Sequence, residues 1–542
     1  MKPAERSAYT YLLDGITVRP GAGAGAAERL AEEAMKRAGA DPRSLHFRLF
    51  RRSVDARRRE DIRLVCTVLV TSGEALPERI CRRAGLKPLA SGTPEVTFGT
   101  EPMTAPPLVV GMGPAGLFAA LMLAENGFRP VIVDRGDAVA DRVARVERFR
   151  REGILDPESN IQFGAGGAGT FSDGKLVTRI HDPLCRYVLE TFVRFGAPEE
   201  ILTLAKPHIG TDILRGVVER MLREIERLGG TVRYRCRADG FRENPDGTLT
   251  VAVPGGEIRT PAAVLAVGHS AHDVYGRLMA QGYAVEAKPM SVGVRAEHLQ
   301  ADIDAALYGG FAGHPDLGHA EYALSDTRQA RGVYTFCMCP GGEVVAAASD
   351  EERLVTNGMS NHARDGKNAN AAVLVSVGTA DYAPVDGSLA RGAMEYQRRI
   401  ECAAYLAGGG DWYAPMMTVG DFLSGRTGSE PTDILPTYRG GKVRPADFGA
   451  VFPPEINDSL RYALRRFAAR IPGYDKPSAI LTASETRTSA PVRILRDPVR
   501  LHALSHPSLY PAGEGAGYAG GITSAAVDGI RVALAILSRF RG

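Results

Sequence analysis

The sequence is poor in the residues on which several classes of protein depend. Only seven of its 542 residues are cysteine, and they are spread along the chain. Because no two of them form a Cys-x-x-Cys pair, a zinc ribbon or a thioredoxin-type centre is not expected. The histidines are scattered as well, without a His-x-His or His-Glu-x-x-His pattern, so the sequence predicts no metal site.

A concentrated positive charge and a long apolar run are also missing. Lys and Arg number 66 and Asp and Glu 63, so the formal net charge is only +3. A non-specific nucleic-acid binder needs a basic surface, and the near-neutral total argues against such a partner. The first twenty residues lack the apolar segment of a signal peptide, and the apolar run Leu117–Ala124 is too short to span a membrane. We therefore expect a cytoplasmic protein that does not bind membranes.

Glycine-rich turns are the main feature that the sequence does contain. The apolar segment Leu108–Val110 is followed by Gly111, Gly113 and Gly116, a helical segment, and a second apolar segment that ends in Asp134. The first glycine permits a tight turn, the second lets the backbone approach a pyrophosphate, and the third allows close helix–strand packing. The acid, about 20 residues further on, binds the ribose hydroxyls. The segment predicts a dinucleotide-binding site, with a purely structural glycine turn as the alternative.

Three neighbours of these residues belong to the same predicted site. Pro114 and Ala115 begin the helix whose N-terminus would hold the phosphates, because free N–H groups and the helix dipole favour anions there. Arg135 follows the acid, and we expect it either to stack on adenine or to be solvated.

A second glycine-rich turn, near the end of the chain, favours FAD over NAD. It contains Gly513 and Glu514 and leads into a helix that opens around Gly521, Ile522 and Thr523. Here the sequence resembles the flavoproteins with two dinucleotide-binding motifs, whose C-terminal Gly-Asp turn holds the ribityl-pyrophosphate part of FAD. The resemblance implies that Glu514 replaces the aspartate. It also implies that the helix N-terminus stabilises the negative charge of the reduced flavin.

The apolar strand Ala262–Gly268 resembles the segment at which such flavoproteins return from the FAD domain, and it places Gly268 at the cofactor. His269 follows it, either as a catalytic base or, more simply, as a structural histidine. The chain contains no second complete glycine motif with a downstream acid. A separate NAD(P)H domain is therefore not expected.

A third glycine-rich loop, residues 164–169, contains four glycines, of which Gly166 and Gly167 are assigned to the cofactor. Ser172 and Lys175 lie a few residues further on and would contact the flavin or the substrate. The alternative is a plain turn at Asp173-Gly174.

The region from residue 291 to about 475 lacks the strand–glycine–helix pattern and is interpreted as an inserted substrate domain. Val333–Cys339 and Glu343–Ala348 predict a β-hairpin within it. Cys337 and Cys339 share one face of the first strand, with Cα atoms about 6.5 Å apart, which is awkward for a disulfide. They are either buried apolar thiols or thiols that meet the flavin or the substrate.

Arg426, Arg487 and Arg493 are candidates to hold an anionic small-molecule substrate, because the guanidinium fork suits a carboxylate or a phosphate. Salt bridges at a domain junction are the alternative. The predicted catalytic set is Arg426, Arg487, Lys175 and Cys337.

Residues 1–98 are predicted to form a separate module. A strand at Ile16–Arg19, a helix at Ala26–Ala38, strands at His46–Ser53 and Ile62–Val70, and a helix around Pro77–Ala84 favour a ferredoxin-like α+β fold without iron. The cluster Arg51–Arg59 is either a solvated hairpin or a docking surface.

A set of segments that covers almost the whole chain resembles the bacterial FAD-dependent dehydrogenases of the NAD(P)/FAD-dependent oxidoreductase family. The set includes VVGMGPAGLFAALMLAENG, NIQFGAGGAGTFSDGKL, KPHIGTD, AVGHSAHD, SVGVRAEH, TFCMCPGG, NGMS, DFLSGR, ETRTSAPVRI and AGEGAGYAGGITSAA. The resemblance implies one bound FAD. NADH or NADPH is the expected electron donor. More distantly, the architecture is similar to the tRNA-modifying flavoproteins of the GidA and TrmFO type and to the HI0933-like reductases.

The expected fold class is α/β. A Rossmann-type FAD-binding domain over residues 107–290 and 476–542 would carry an inserted α+β substrate domain over 291–475, preceded by the N-terminal ferredoxin-like α+β module over 1–98. The expected function is an FAD-dependent oxidoreductase that transfers a hydride between flavin N5 and a small molecule. The alternatives are a flavoprotein that acts on tRNA, and a flavin-binding scaffold that recruits a protein through the N-terminal module.

Overall fold

The structure of the chain is a computed structural model that describes residues 9–90 and 92–541. The described residues group into two units. The first unit combines the residues up to Pro94 with His181–His208 and Ile303–Ala320, and the remaining residues form the second. The expectation of a mixed α/β chain is confirmed.

The helices and strands are numbered in chain order. The strands are β1 (Tyr9–Val18), β2 (Leu45–Asp55), β3 (Arg63–Ser72), β4 (Lys87–Pro88), β5 (Glu101–Pro102), β6 (Leu108–Val110), β7 (Val131–Val133), β8 (Thr231–Arg233), β9 (Gly240–Glu243), β10 (Leu249–Val253), β11 (Gly256–Thr260), β12 (Ala263–Leu265), β13 (Val285–Ala287), β14 (Met290–Leu299), β15 (Ser325–Asp326), β16 (Val333–Cys339), β17 (Glu343–Ala346), β18 (Thr356–Met359), β19 (Asn368–Val377), β20 (Ala414–Thr418), β21 (Val443–Pro445), β22 (Ile480–Glu485), β23 (Val492–Ile494), β24 (Leu509–Pro511) and β25 (Phe540–Arg541). The α-helices are α1 (Ala26–Ala38), α2 (Glu78–Ala84), α3 (Pro114–Glu125), α4 (Val139–Glu152), α5 (Leu184–Arg194), α6 (Thr211–Arg227), α7 (His272–Ala280), α8 (Gln300–Tyr308), α9 (Leu389–Ala407), α10 (Val419–Ser424), α11 (Pro454–Ala468) and α12 (Ile522–Arg539).

The first unit begins with β1, α1, β2, β3, α2 and β4, which is the β-α-β-β-α-β element order of a ferredoxin-like fold. Their antiparallel sheet has the strand order β2-β3-β1-β4. Helix α1 forms where Ala27, Ala31 and Met35 recur at helical spacing and are buried, while β3 is buried almost throughout. In the cluster Arg51–Arg59, the Arg57 side chain is 88% exposed and pairs with Asp55, in agreement with a solvated hairpin.

Two later segments complete the first unit. The Arg52 N–H donates to the Thr203 carbonyl (2.7 Å), and the Ala205 N–H donates to the Arg52 carbonyl (2.8 Å). The Arg186 guanidinium lies over the Phe50 ring, 5.1 Å from its centroid. The sequence boundaries place these segments in later domains, because pairing between distant parts of the chain has no local pattern.

The second unit contains a parallel sheet of five short strands in the order β24-β12-β6-β7-β8. The order reverses direction on the two sides of β6, and ligands bind at the carboxyl ends of the strands at such a switch point. β6, β12 and β24 are completely buried and apolar, as expected for a parallel sheet that is covered on both faces. A Cβ at Gly529 would lie 2.1 Å from the Ala115 carbonyl oxygen, so this glycine lets α12 pack directly on the first turn of α3.

A larger sheet in the same unit has the order β15-β16-β19-β14-β22-β20-β21. Its pairs are antiparallel except for β20 and β21. The predicted hairpin is wrong: β16 pairs with β15 and β19, whereas β17 pairs with β18. The ten-residue β19 is buried at all but one position and is a longer apolar partner for β16 than the four-residue β17.

No helix within residues 9–90 and 92–541 is long and apolar enough to cross a membrane.

Candidate functional site

A cleft in the second unit opens at the carboxyl ends of β6, β7, β12 and β24. One side, the nucleotide wall, consists of the turns that follow these strands together with residues 167–172 and 520–522. The other side, the sheet wall, comes from β16, β18 and the end of β22, and consists of Phe336, Cys337, Asn357, Glu485, Arg487 and Thr488.

Most of the residues that the sequence assigns to the cofactor lie on the nucleotide wall. These are Gly111, Gly113, Pro114, Ala115, Asp134, Arg135, Gly167, Ser172, Gly268, Glu514, Gly521 and Ile522. The others support the wall from behind and are Gly116, Gly166, Gly513 and Thr523. The structure therefore brings the first glycine turn and the C-terminal glycine turn to one cleft.

The first turn is built so that backbone faces the cleft. Gly111 has φ +103°, and a Cβ on it would lie 2.3 Å from the Ala266 carbonyl oxygen. A Cβ at Gly116 would lie 1.9 Å from the Gly111 carbonyl oxygen, so α3 begins directly against the turn. The N–H groups of the first helical turn have no partner within the helix and are donors for an anion.

Asp134 organises this turn as well as facing the cleft. Its two carboxylate oxygens accept the N–H groups of Met112 (2.8 Å) and Gly136 (2.9 Å), and the residue is 8% exposed. Each oxygen has a second lone pair with which it can accept a ribose hydroxyl. The expected ribose contact is compatible with this geometry and remains a prediction.

Arg135 is not solvated. Its guanidinium donates to Glu158 (2.9 Å) and Asp273 (3.0 Å) and lies over the Phe163 ring, 4.4 Å from the centroid. Burial opposes its charge, but the two carboxylates raise the pKa of Arg135 above its usual range. The side chain is fixed at the rim of the cleft.

The loop 164–169 packs on the first glycine turn. It is held there by Arg142, which the sequence analysis does not assign to the site. The Gly166 N–H donates to the Met112 carbonyl (2.9 Å). The loop is held by Arg142 of α4, which is completely buried and donates to the carbonyls of Asn160 (2.8 Å), Ile161 (2.9 Å) and Ala165 (2.7 Å). The only sequence signal was an arginine at an apolar position of a helix.

The C-terminal turn is fixed by a second set of buried contacts. The Gly513 N–H donates to Asp528 of α12 (2.7 Å), whose carboxylate is paired with Arg496 (2.6 Å). The Tyr275 hydroxyl lies 2.9 Å from the carbonyl oxygens of both Gly268 and Gly515 and so joins this turn to the end of β12. Sequence reasoning missed all three side chains, because none belongs to a local motif.

Glu514 and Thr523 have different positions in the turn. Glu514 is half-buried on the cleft, where burial raises its pKa to about 7 although Lys288 opposes the shift. Thr523 is buried and donates to the Leu176 carbonyl (2.8 Å), which ties the start of α12 to the segment that follows the third glycine loop. Ser172, on the wall itself, donates to the Gly169 carbonyl (2.8 Å) and accepts the Gly174 N–H (3.1 Å).

Of the predicted catalytic arginines, Arg487 reaches the cleft but its charge is already matched. It is 5% exposed and pairs with Glu401 (2.8 Å) and Asp350 (2.7 Å). Burial opposes the charge, yet both carboxylates raise the pKa of Arg487 above its usual range. This is the salt-bridge alternative, and it weakens the argument for an anionic substrate.

Arg426 is not brought to the cleft. Its side chain is 75% exposed in the loop after α10, where Nε donates to the Ser424 hydroxyl (3.1 Å). Arg493 stacks on the Tyr518 ring (5.5 Å) and pairs with Glu286 (3.5 Å). Neither side chain lines the cleft.

His269 lines the cleft and is 8% exposed, with its Nδ1 3.1 Å from the Ser270 hydroxyl. Burial, and then Arg487, lowers the pKa of His269 to about 3. The imidazole is therefore neutral at pH 7, and such a low pKa makes it a weak general base.

Lys175 and Cys337 both line the cleft. The Lys175 ammonium donates to Asp173 (2.7 Å) and to the Met338 carbonyl. Burial raises the pKa of Asp173, but Lys175 and Arg364 outweigh it and lower that pKa to about 2. Asp173 also accepts a hydrogen bond from Arg364 (2.6 Å) and is completely buried, so the Asp173-Gly174 segment is more than a plain surface turn.

The nucleotide wall fits FAD. Two glycine turns, a helix N-terminus after each turn, and two carboxylates lie along one cleft, and side chains on the close-packed glycines would overlap the backbone. In such an arrangement the Gly111–Ala115 segment would hold the pyrophosphate, Asp134 the ribose, and the segment Gly520–Ile522 the flavin ring.

Comparisons with known proteins agree with this fit. Residues 289–488 match the family model described as "FAD-dependent protein, C-terminal domain-like", and residues 16–71 match a domain of unknown function, DUF8436. A protein of Clostridium beijerinckii is 44% identical over 496 residues, which are 91% of this chain and 92% of that protein. The chain therefore belongs to the same family as the clostridial protein. It is an FAD-dependent flavoprotein, as expected.

Solved structures give only distant likenesses. CtdE in complex with FAD has 13% identity and a TM-score of 0.33, with 80% of this chain and 84% of that chain covered. The halogenase PltM has 10% identity and a TM-score of 0.33, with 80% and 68% covered. The thioredoxin reductase of Lactococcus lactis has 14% identity and a TM-score of 0.18, with 30% and 36% covered.

Proposed function

We propose that this protein is an FAD-dependent oxidoreductase with a small-molecule substrate and with NADH or NADPH as its electron donor. When bound, FAD supplies hydride transfer at its N5 atom. The observation that carries the proposal is the joint cleft, because the two glycine turns face, across one space, a second wall that includes the buried Glu485 and Arg487. A scaffold that only stores the cofactor would not need such a wall.

In this proposal the chain's own residues bind and orient the cofactor and exclude water from the cleft. The N–H groups at the starts of α3 and α12 bind anionic groups and stabilise negative charge. Tyr275, Asp528 and Arg142 hold the three glycine loops in place through buried hydrogen bonds. Arg487, whose own charge is balanced by Glu401 and Asp350, closes the sheet wall without leaving a free cation.

An anaerobic reduction titration of the purified FAD-loaded protein tests the proposal. NADH and NADPH are added separately, and the flavin absorbance near 450 nm is followed. We expect one of them to bleach the flavin and air to restore the absorbance. If neither nicotinamide nor any of a broad panel of small reductants bleaches bound FAD, the proposed activity is wrong even though the cofactor is bound.

A further inference from the structure

Two of the cysteines lie at the sheet wall of the cleft, one lining the cleft and the other behind it. Cys337 lines the cleft together with Glu514 and Ile522 of the C-terminal turn, and its side chain is half-buried. Cys339 lies behind it and is 0% exposed. Both thiols are free in this structure.

A β-bulge changes the spacing of the two cysteines along β16. Along β16, Phe336 pairs with Ala372 and Cys339 pairs with Asn370, so β16 has one residue more than β19 over this stretch. Cys337 absorbs the extra residue with φ +45°, a left-handed conformation that is uncommon for a residue other than glycine. As a result, the Cys339 thiol donates to the Cys337 carbonyl (3.3 Å), and the two thiols are close enough to influence each other's protonation. In a regular strand two such residues would stand about 6.5 Å apart.

Two cations hold this bulge and act on its sulfurs. Arg295 is completely buried, pairs with Glu485 (2.7 Å), and donates to the Cys337 carbonyl (3.1 Å). The Lys175 ammonium donates to the carbonyl of Met338, which lies between the two cysteines. The strained conformation is therefore fixed by a buried cation, Arg295, and a half-buried one, Lys175, each paired with a carboxylate, which is typical of a functional constraint.

The two thiols have different environments. The neighbouring Cys339 thiol, together with Lys175 and Arg295, holds the pKa of Cys337 below its usual range, although burial opposes the shift. The Cys337 sulfur and burial raise the pKa of Cys339. A pair that consists of one thiolate and one protonated thiol is the arrangement of a dithiol that forms and breaks a disulfide.

We propose that Cys337 and Cys339 are a redox-active pair that exchanges two electrons with the flavin. The proposal rests on the proposed function, because FAD is its electron partner. The Cys337–Cys339 disulfide accepts two electrons and two protons from reduced FAD. Its sulfur–sulfur bond breaks, two thiols form and FAD is oxidised. In the opposite direction the dithiol loses two electrons and two protons to FAD, and the disulfide forms.

Electron stoichiometry tests the pair in the FAD-loaded full chain. The protein is oxidised with diamide, desalted and titrated anaerobically with dithionite. We expect the wild type to take up about four electrons per bound FAD, two for the flavin and two for the disulfide. Cys337→Ser and Cys339→Ser should each take up about two, and the control Cys402→Ser, whose cysteine lies on α9, should take up four. Uptake of only two electrons by the wild type would overturn the proposal.

A thiol count provides a readout that does not depend on FAD. The chain has seven cysteines, so diamide treatment followed by denaturation should leave five titratable thiols in the wild type. Cys339→Ser should retain all six of its thiols, and peptide mass analysis should locate the disulfide between residues 337 and 339. Seven thiols in the treated wild type would overturn the proposal. If FAD is reduced by a nicotinamide while the uptake stays at two electrons, the dithiol proposal fails and the oxidoreductase stands.

Discussion

The two walls of the cleft are built in different ways. The nucleotide wall is made mostly of backbone, with glycines at the points of closest approach and one carboxylate that accepts backbone N–H groups. The sheet wall is made of side chains whose charges are paired inside the protein, namely Arg487 with Glu401 and Asp350, and Arg295 with Glu485. The nucleotide wall is formed by short turns that are local in the sequence. The sheet wall depends on contacts between strands and helices that are far apart in the sequence.

The difference predicts different consequences of substitution on the two sides. A change on the nucleotide wall should reduce FAD affinity, because backbone that must approach the cofactor is blocked. A change on the sheet wall should reduce stability, because the removal of one ion leaves its partner buried and unpaired. The predictions below run from the largest expected effect to the smallest.

Removal of Arg487 should have the largest effect. In Arg487→Met, the fully buried Glu401 loses its partner, and we expect the free energy of unfolding to fall by about 4 kcal/mol. Urea denaturation of the apoprotein measures it. The matched control is Arg242→Met, which breaks an exposed pair with Glu257 and should cost less than about 1 kcal/mol. If the two substitutions destabilise the protein equally, the buried ion pairs of the sheet wall stabilise it no more than an exposed pair does, and the prediction is wrong.

Arg142→Met tests the support behind the nucleotide wall. The loss of hydrogen bonds from a charged donor to several buried carbonyls should lower the free energy of unfolding by about 3 kcal/mol. FAD affinity should fall with it, because the loop 164–169 packs on the first turn. Arg145→Met, on the same helix but 45% exposed, is the control and should leave both quantities nearly unchanged. Normal FAD affinity in a destabilised Arg142→Met would show that the loop does not position the cofactor.

Gly111→Ala tests the close approach at the first turn. A Cβ there meets the Ala266 carbonyl and must also adopt a positive φ, so we expect FAD affinity to fall about 100-fold. Gly127→Ala, at the end of the same helix, has φ +86° but open space around its Cβ, and it controls for backbone strain alone. Titration of flavin fluorescence measures both. If both variants lose affinity equally, strain rather than overlap explains the effect.

Glu514 should make the stability of the apoprotein dependent on pH. Its folded pKa of about 7 lies above the ordinary value of 4.5, so the folded chain binds an extra proton between these values. The stabilisation is therefore present at low pH and is lost as pH rises from about 5 to 7, by at most about 3 kcal/mol. Glu514→Gln should flatten this part of the profile. A profile that is unchanged in Glu514→Gln would contradict the assignment.

Arg426→Ala should have the smallest effect. Because its side chain is exposed and outside the cleft, stability should change by less than about 0.5 kcal/mol and FAD affinity by less than twofold. Thermal unfolding and FAD titration check the two quantities. A large loss of nicotinamide-dependent reduction in this variant would restore the sequence-based role of Arg426.

The same contrast explains what could be predicted from the sequence. Gly111, Gly113 and Asp134 can be assigned because a strand, a turn, a helix and the acid that follows are local and occur at a fixed spacing, whereas Glu514 is assigned only through the resemblance to other flavoproteins. The partners of Arg487 could not be assigned, because Asp350 and Glu401 are far away in the chain and belong to no motif. The hairpin was wrong for a related reason, since the pairing of β16 with β19 spans several other elements.

The strand alternation also fails as a guide where the backbone of β16 departs from regularity. Alternation along Val333–Cys339 predicts that Cys337 and Cys339 share a face at the ordinary spacing, and a bulge is not visible in that pattern. The segment His181–His208 likewise joins the first unit through pairing between residue 52 and residues 203–205, which no local pattern in the sequence predicts.

Titration of the apoprotein with FAD, followed by flavin fluorescence, tests most directly whether the two glycine turns bind one cofactor together. We predict saturation at one FAD per chain. Gly111→Ala in the first turn and Gly513→Ala in the second, where a Cβ would lie 2.7 Å from the Ala115 Cβ, should each weaken that single site. A protein that stays colourless in excess FAD, or one in which only one of the two turns affects binding, would contradict the account.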